Sequence, residues 1–354
     1  MNVSPQMPAS ATRSASVVMG RLDYLSVVLR LIGMELYKLR RRVMSKALGI
    51  IAIALAVLPF ALIAFGTFAT ANAPAGSFGP SSCQSFNGPG GPSPQQGPSA
   101  CPTPSPAQVA QERQSIVQAT SDPLRLPDAL NVAVQYGLIV GIVLLVILVG
   151  TIAGGEYATG TIRLLFIRGP TRTQFLIAKL GASFIVIFIT LLVMTALGVL
   201  TGQLFNPVSG IAQTGAFGSG AWIGHALLYL CIAMLNWFMF AVIAIFFATL
   251  GRSTVAGVVA GLSWLFVEPI LGNVLTLLGN VSRGALGDLL KAIPNYFIGT
   301  NFSALLNDQG QYLSFNNSSI PAVSVVHAVI VLLVYFAFFI GLAWWINMKR
   351  DVTN

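Results

Sequence analysis

Six long apolar stretches, nearly free of charge, limit what this chain can become. They run from about Ala47 to Thr70, Val132 to Ala153, Leu180 to Phe205, Trp222 to Leu250, just after Arg252 to Leu278, and Val323 to Ile346. Each has the roughly 20 residues that a helix needs to cross a bilayer. A barrel strand would instead alternate apolar and polar residues over about ten positions. Composition agrees: 55% of the residues are hydrophobic and 8% charged, against about a quarter charged in a soluble domain. The expected fold is an all-α integral membrane protein with six transmembrane helices.

The net charge of +9 could suggest a nucleic-acid partner. The basic residues, however, cluster beside the apolar runs, which is how membrane proteins set their orientation. With the N-terminus inside, 15 lysines and arginines fall on inner segments, among them Lys38, Arg40, Arg41, Arg42, Lys46, Arg163, Arg168, Arg172 and Lys179; only Arg113, Arg125, Arg283 and Lys291 fall outside. Both termini are therefore expected in the cytoplasm of a multi-pass plasma-membrane protein, with no nucleic-acid partner. Three cysteines and two histidines offer no zinc-type spacing. His225 and His327 stand singly and read as interfacial or packing residues.

Residues 1–24 read as a disordered cytoplasmic tail. Over 25–44, Leu25, Val28, Leu29, Ile32, Leu36, Leu39 and Val43 recur at helical spacing, with Arg30, Glu35, Lys38, Arg41 and Arg42 mostly on other faces. This predicts an amphipathic helix in the headgroup layer, or else a plain positive flank. The first span is too long, and starts too late, for a secretory signal. The transmembrane domain, 45–350, carries three notable inserts. Residues 71–131 form an external loop, rich in Pro, Gly, Ser and Gln from Ala73 to Ala107, that cannot offset its ordering entropy; Gln108 to Thr120 is expected as a short helix. Cys83 and Cys101 in that loop are a candidate disulfide, since an exterior permits the pairing, or else two free thiols. Residues 279–322 form a mixed extracellular segment. Residues 154–179 form a basic cytoplasmic loop.

That loop carries the motif. Glu156 sits on the last turn of span two. A short helix over Thr161–Arg168 is bounded by Gly160 and by Gly169-Pro170, and Thr171 can cap the next helix. Leu164, Leu165 and Ile167 are apolar where a cytoplasmic loop has no need of them, so they fit a partner's groove or the headgroup layer. Arg163, Arg168 and Arg172 favour an acidic rim or lipid phosphate. Within the spans, Glu268 precedes Pro269 about two-thirds of the way across span five. A carboxylate at depth must face the bundle interior or water, and the proline should break or kink the helix. Asn236 reads as an interhelical hydrogen bond or a pathway-lining group. Gly137/Gly141 and Gly257/Gly261 are spaced for close helix approach, and Trp222, Trp344, Trp345 and Tyr229 read as interface anchors or packing residues.

The positions Glu156, Gly160, Thr161, Leu164, Leu165, Pro170, Arg172 and Lys179 resemble the loop pattern of the permease subunits of type-2 ABC transporters, exporter type. The amphipathic N-terminal helix and six spans are also similar, over about residues 24–350; the long external loop departs from the pattern. The resemblance implies two permease subunits, identical or related, above two copies of an ATPase subunit that binds ATP with magnesium. Thr161–Arg168 would be the coupling helix, with Glu156 and Arg172 orienting it. It also implies short re-entrant or extracellular helices before the last span, where Glu268 would line an external gate or serve as a structural carboxylate. No Gly-x-x-x-x-Gly-Lys-Ser/Thr loop is present to cradle phosphates, so the chain is expected to bind no cofactor and to catalyse no reaction itself. The rival readings are a secondary transporter or channel without an ATPase, and a membrane anchor or assembly factor.

Overall fold

The computed structural model describes residues 21–73, 105–158, 160, 171–209, 218–313 and 321–349. Most of the Pro/Gly/Ser-rich loop, with Cys83 and Cys101, lies outside the described residues. So does the expected coupling helix, with Thr161, Arg163, Leu164, Leu165, Arg168 and Pro170.

The described chain is all-α, with no strand among the described residues. In order, the helices are α1 (Arg21–Arg41), α2 (Val43–Ala71), α3 (Pro106–Ser121), α4 (Asp128–Tyr136), a π-helical turn Gly137–Gly141, α5 (Ile142–Ala158), α6 (Arg172–Ser209) and α7 (Gly220–Gly251). They are followed by α8 (Thr254–Val281), α9 (Ala285–Ala292), α10 (Ile298–Tyr312) and α11 (Val325–Lys349). Among the described residues, six spans are long and apolar enough to cross a membrane: α2, α4 running on into α5, α6, α7, α8 and α11.

Span α7 is the packing centre, touching α5, α6, α8, α10 and α11. Trp237 on it is fully buried against Gly137 and Gly141, whose absent Cβ atoms would stand 3.1 and 2.9 Å from its ring. That confirms this glycine pair as a packing device. Gly257 and Gly261 act likewise, against Ala244, Ala248 and Val146. The sequence pattern did not single out a third pair, Gly150 and Gly154 on α5, which sit directly on the start of α8.

Two boundaries differ from the sequence expectation. Helix α1 begins at Arg21, inside the expected tail. Within the loop assigned to 71–131, residues 105–131 are folded. Ser105 and Gln108 form a reciprocal capping box that starts α3. Leu124, Leu126 and Ala129 then bury against Phe60 of α2, so span two starts at Asp128. These apolar residues give the segment something to bury, unlike the Pro/Gly-rich stretch before it. The short helix expected over Gln108–Thr120 is α3.

The face of α1 also differs. Val28, Leu31, Glu35 and Leu39 are buried, with Ile32 packed on Gly181 of α6. Leu25 and Leu29 are exposed. The buried stripe thus includes an acidic residue that the pattern put on a polar face, and ion pairing is the reason.

Candidate functional site

Glu156, near the end of α5, is the hub of a partly buried charge cluster. Its Oε1 accepts from Lys38 Nζ of α1 at 2.7 Å, and Lys38 also reaches Glu35 Oε1 at 3.0 Å. The other carboxylate oxygen, Oε2, faces Lys179 Nζ of α6 at 3.1 Å. Lys179 is only 2% exposed; it donates to the Ile152 carbonyl at 2.7 Å and lies over the Phe175 ring. Two carboxylates thus face two ammonium groups, and the cluster is electrically neutral. Opposite charge close by is what makes buried charge tolerable; Glu156 Oε2 has the Lys179 ion pair but no hydrogen bond. Burial pulls Lys38 towards the neutral amine, but the Glu156 hydrogen bond and the fields of Glu35 and Glu156 outweigh it and hold the lysine above its ordinary value.

The same end of the bundle fixes the start of α6. Thr171 and Gln174 cap it reciprocally: Thr171 N donates to Gln174 Oε1 at 2.9 Å, and Gln174 N to Thr171 Oγ1 at 3.3 Å. The Thr171 cap is as expected from the sequence. Arg172 Nη1 donates to the carbonyls of Asn347 and Met348 at the end of α11, and Asn347 Nδ2 donates back to the Arg172 carbonyl at 2.8 Å. The two ends of the loop motif are therefore anchored to each other and to two other elements, α1 and α11. Glu156 ties α5 to α1 and α6, and Arg172 ties α6 to α11. Lys38 and Glu35 were not among the expected site residues. Their only sequence signal is an acid–base pair at i, i+3 on an amphipathic helix.

A second constellation lies within the bundle. Glu268 stands near the middle of the 28-residue α8, not two-thirds of the way along. The helix continues through Pro269, so the expected break does not occur. Glu268 Oε2 accepts from Trp264 Nε1 at 2.8 Å, and Oε1 accepts from the backbone N–H of Gly299. Gly299 lies in the first turn of α10, whose N-cap Phe297 supplies no side-chain bond. Glu268 thus fills an orphan donor at a helix N-terminus, where a negative charge is favoured. That is the structural role open to it in the sequence, a carboxylate bonded to the short helices before the last span. Glu268, Pro269 and Asn236 also line one cavity of about 280 Å³ with Gln135, Trp264 and Ser303. Asn236 is buried, yet its Oδ1 has no hydrogen-bond partner, so the expected interhelical bond through that oxygen is not made.

The histidines pack locally. His225 Nδ1 meets Gln309 Oε1 at 2.8 Å and stacks on Tyr312; His327 Nε2 meets the Asn295 carbonyl at 3.1 Å. Trp222 Nε1 donates to the Leu313 carbonyl, and Tyr229, fully buried, donates to Asn131 Oδ1 at 2.9 Å. Among the described residues no group of three His, Cys, Asp or Glu side chains is placed to hold a metal ion.

These features define an all-α, multi-pass membrane protein with a charge cluster at the end of its bundle and a cavity beside Glu268 and Asn236 inside it. The chain belongs to the family described as "Protein of unknown function (DUF2705)", whose model matches residues 119–353. The match takes in Glu156, Lys179, Asn236 and Glu268 and leaves α1 and α2 outside. No curated protein and no solved structure matches the chain.

Proposed function

We propose that this chain is the membrane permease subunit of an ATP-driven exporter in the plasma membrane. It works with two copies of a separate ATPase and with a second permease subunit, identical or related, and contributes no nucleotide site. The observation that carries the reading is the anchoring of loop 159–170 at both ends. Glu156 precedes it and is held by Lys38 and Lys179; Arg172 follows it and is held by the end of α11. A push on such a loop reaches α1, α5, α6 and α11 together, as a membrane domain driven by a soluble motor requires. The apolar Leu164, Leu165 and Ile167 would seat in the motor's groove. One observation favours a secondary transporter instead: an intramembrane carboxylate, Glu268, beside a polar cavity.

Affinity purification from the native host separates the two. An ATPase travels with the wild-type chain and is lost from Leu165→Asp, while that variant still inserts at wild-type levels. Absence of any ATPase from the wild-type preparation, or unchanged binding and transport in Leu165→Asp, sinks the proposal.

The orientation has its own test. The charge bias puts the N-terminus, loop 154–179 and the C-terminus in the cytoplasm. In intact cells, single cysteines placed at 76–107 react with an impermeant maleimide, whereas those at 159–170 react only after permeabilisation. The reverse pattern overturns the topology.

A further inference from the structure

Glu268 is a carboxylate in mid-span whose two oxygens each accept an N–H, from Trp264 and Gly299. Both oxygens therefore act as acceptors, the role that an ionised carboxylate fills at each oxygen. Both donors are formally neutral, and among the described residues no basic side chain forms an ion pair with Glu268. A charge in this setting lacks its counter-charge. Asn236, more than nine-tenths buried, lines the same cavity with its Oδ1 unbonded. The cavity therefore presents a carboxyl group with no basic partner and a buried amide oxygen with no donor.

Its walls add a third feature. Trp264 and Phe240 border the Glu268–Asn236 cavity. Behind Trp264 lies an apolar space of about 470 Å³ lined by Phe247, Phe297 and Tyr335, which also reaches Glu268. Aromatic faces attract cations, and spaces of about 300–1,000 Å³ suit small organic ligands. An anion would meet the Glu268 charge, and a neutral apolar molecule would leave Asn236 Oδ1 unsatisfied. An ammonium group brings both the missing positive charge and N–H donors, and an apolar body suits the aromatic space.

We propose that the Glu268–Asn236 cavity binds a protonated amine carrying an apolar, aryl-sized body. Glu268 is the counter-charge, Asn236 Oδ1 the hydrogen-bond acceptor, and Trp264 the wall. Treating this ligand as cargo rests on the permease reading; its binding does not, because binding is measured on the chain alone.

The test uses the full-length chain in lipid nanodiscs, with empty nanodiscs as reference. Binding of 4-phenylbutylammonium is compared with that of 5-phenylpentanoate, which has a similar body and the opposite charge. The wild type binds the amine saturably and the acid not at all. Glu268→Gln keeps the shape and removes the charge, and weakens amine binding about tenfold or more. Asn236→Leu disturbs no helix cap and weakens it by several fold, which keeps the test decisive if Glu268→Gln does not insert. Equal uptake of amine and acid, or wild-type affinity in Asn236→Leu, overturns the site. Amine binding to a chain with no ATPase partner would leave the site and remove the permease reading; an ATPase partner with no amine binding would do the opposite.

Discussion

Gly154→Val yields no monodisperse folded protein, whereas Gly33→Ala and Gly49→Ala behave as wild type. A Cβ at residue 154 would stand 2.3 Å from the backbone nitrogen of Thr254, 2.5 Å from its Cα and 2.6 Å from the Ser253 carbonyl carbon. These are backbone atoms, so no rotamer change relieves them. The turn they belong to is itself pinned: Arg252 is left-handed at φ 49° and Ser253 Oγ accepts from Val255 N. Overpacking a core with a methylene costs about 1–3 kcal/mol when side chains can shift; here the α5–α8 contact must open instead. Gly150 beside it, whose Cβ would meet Val258 Cγ2 at 2.6 Å, spreads the damage along the same seam. At the two control glycines an added Cβ would have nothing within 4 Å, and helix-interior alanine is favoured over glycine by roughly 0.5–1 kcal/mol. Size-exclusion profiles of detergent extracts, before and after heating, separate the three variants. A sharp wild-type peak for Gly154→Val would show that this seam yields.

What the sequence reveals, and what it hides, follows from the range of the interactions. The six spans are legible because apolar length is a local property. So is the Thr171 cap, since its partner Gln174 is three residues away. Glu156 stands out as an acid at the end of an apolar run, but its partner Lys38 is 118 residues distant, and no spacing rule reaches that far. Glu35 falls on the polar face of the pattern because a charge is assumed to want water; the lysine beside it reverses that preference. Glu268 is conspicuous for its depth. One of its two partners, however, is the backbone N–H of Gly299, which no pattern of side chains announces. Asn236 and Glu268 are unrelated in the sequence, and only the packing of α7 against α8 and α10 puts them around one cavity. Pro269 should interrupt its helix by local rules, but α8 continues through it.

Glu156→Ala destabilises the bundle strongly, and combining Glu156→Gln with Lys179→Met restores most of the loss. The single substitution leaves the Lys179 ammonium buried among α5 and α6 with the Ile152 carbonyl as its remaining hydrogen-bond acceptor. Removing one partner of a buried pair costs about 3–5 kcal/mol, while replacing both by neutral groups of similar size is often nearly neutral. Lys38 is served in the double variant by Glu35, already 3.0 Å away. Thermal aggregation midpoints in one detergent measure the order: wild type and double variant close together, Glu156→Ala far below. A double variant no better than Glu156→Ala would mean that Glu156 acts through something other than its lysines. Acidity probes the third member. Lys38 has its affinity for the proton raised by folding, so its contribution is complete below the ordinary lysine value of 10.5 and is lost only as the pH climbs beyond it. The difference in midpoint between wild type and Lys38→Met is therefore constant from about pH 6 to 9 and shrinks in stronger alkali. The double variant then isolates function from folding. Its bundle is stable, but Glu156 no longer joins α1 and α6 through its charge, so under the permease reading it retains its ATPase while transport per ATP hydrolysed falls.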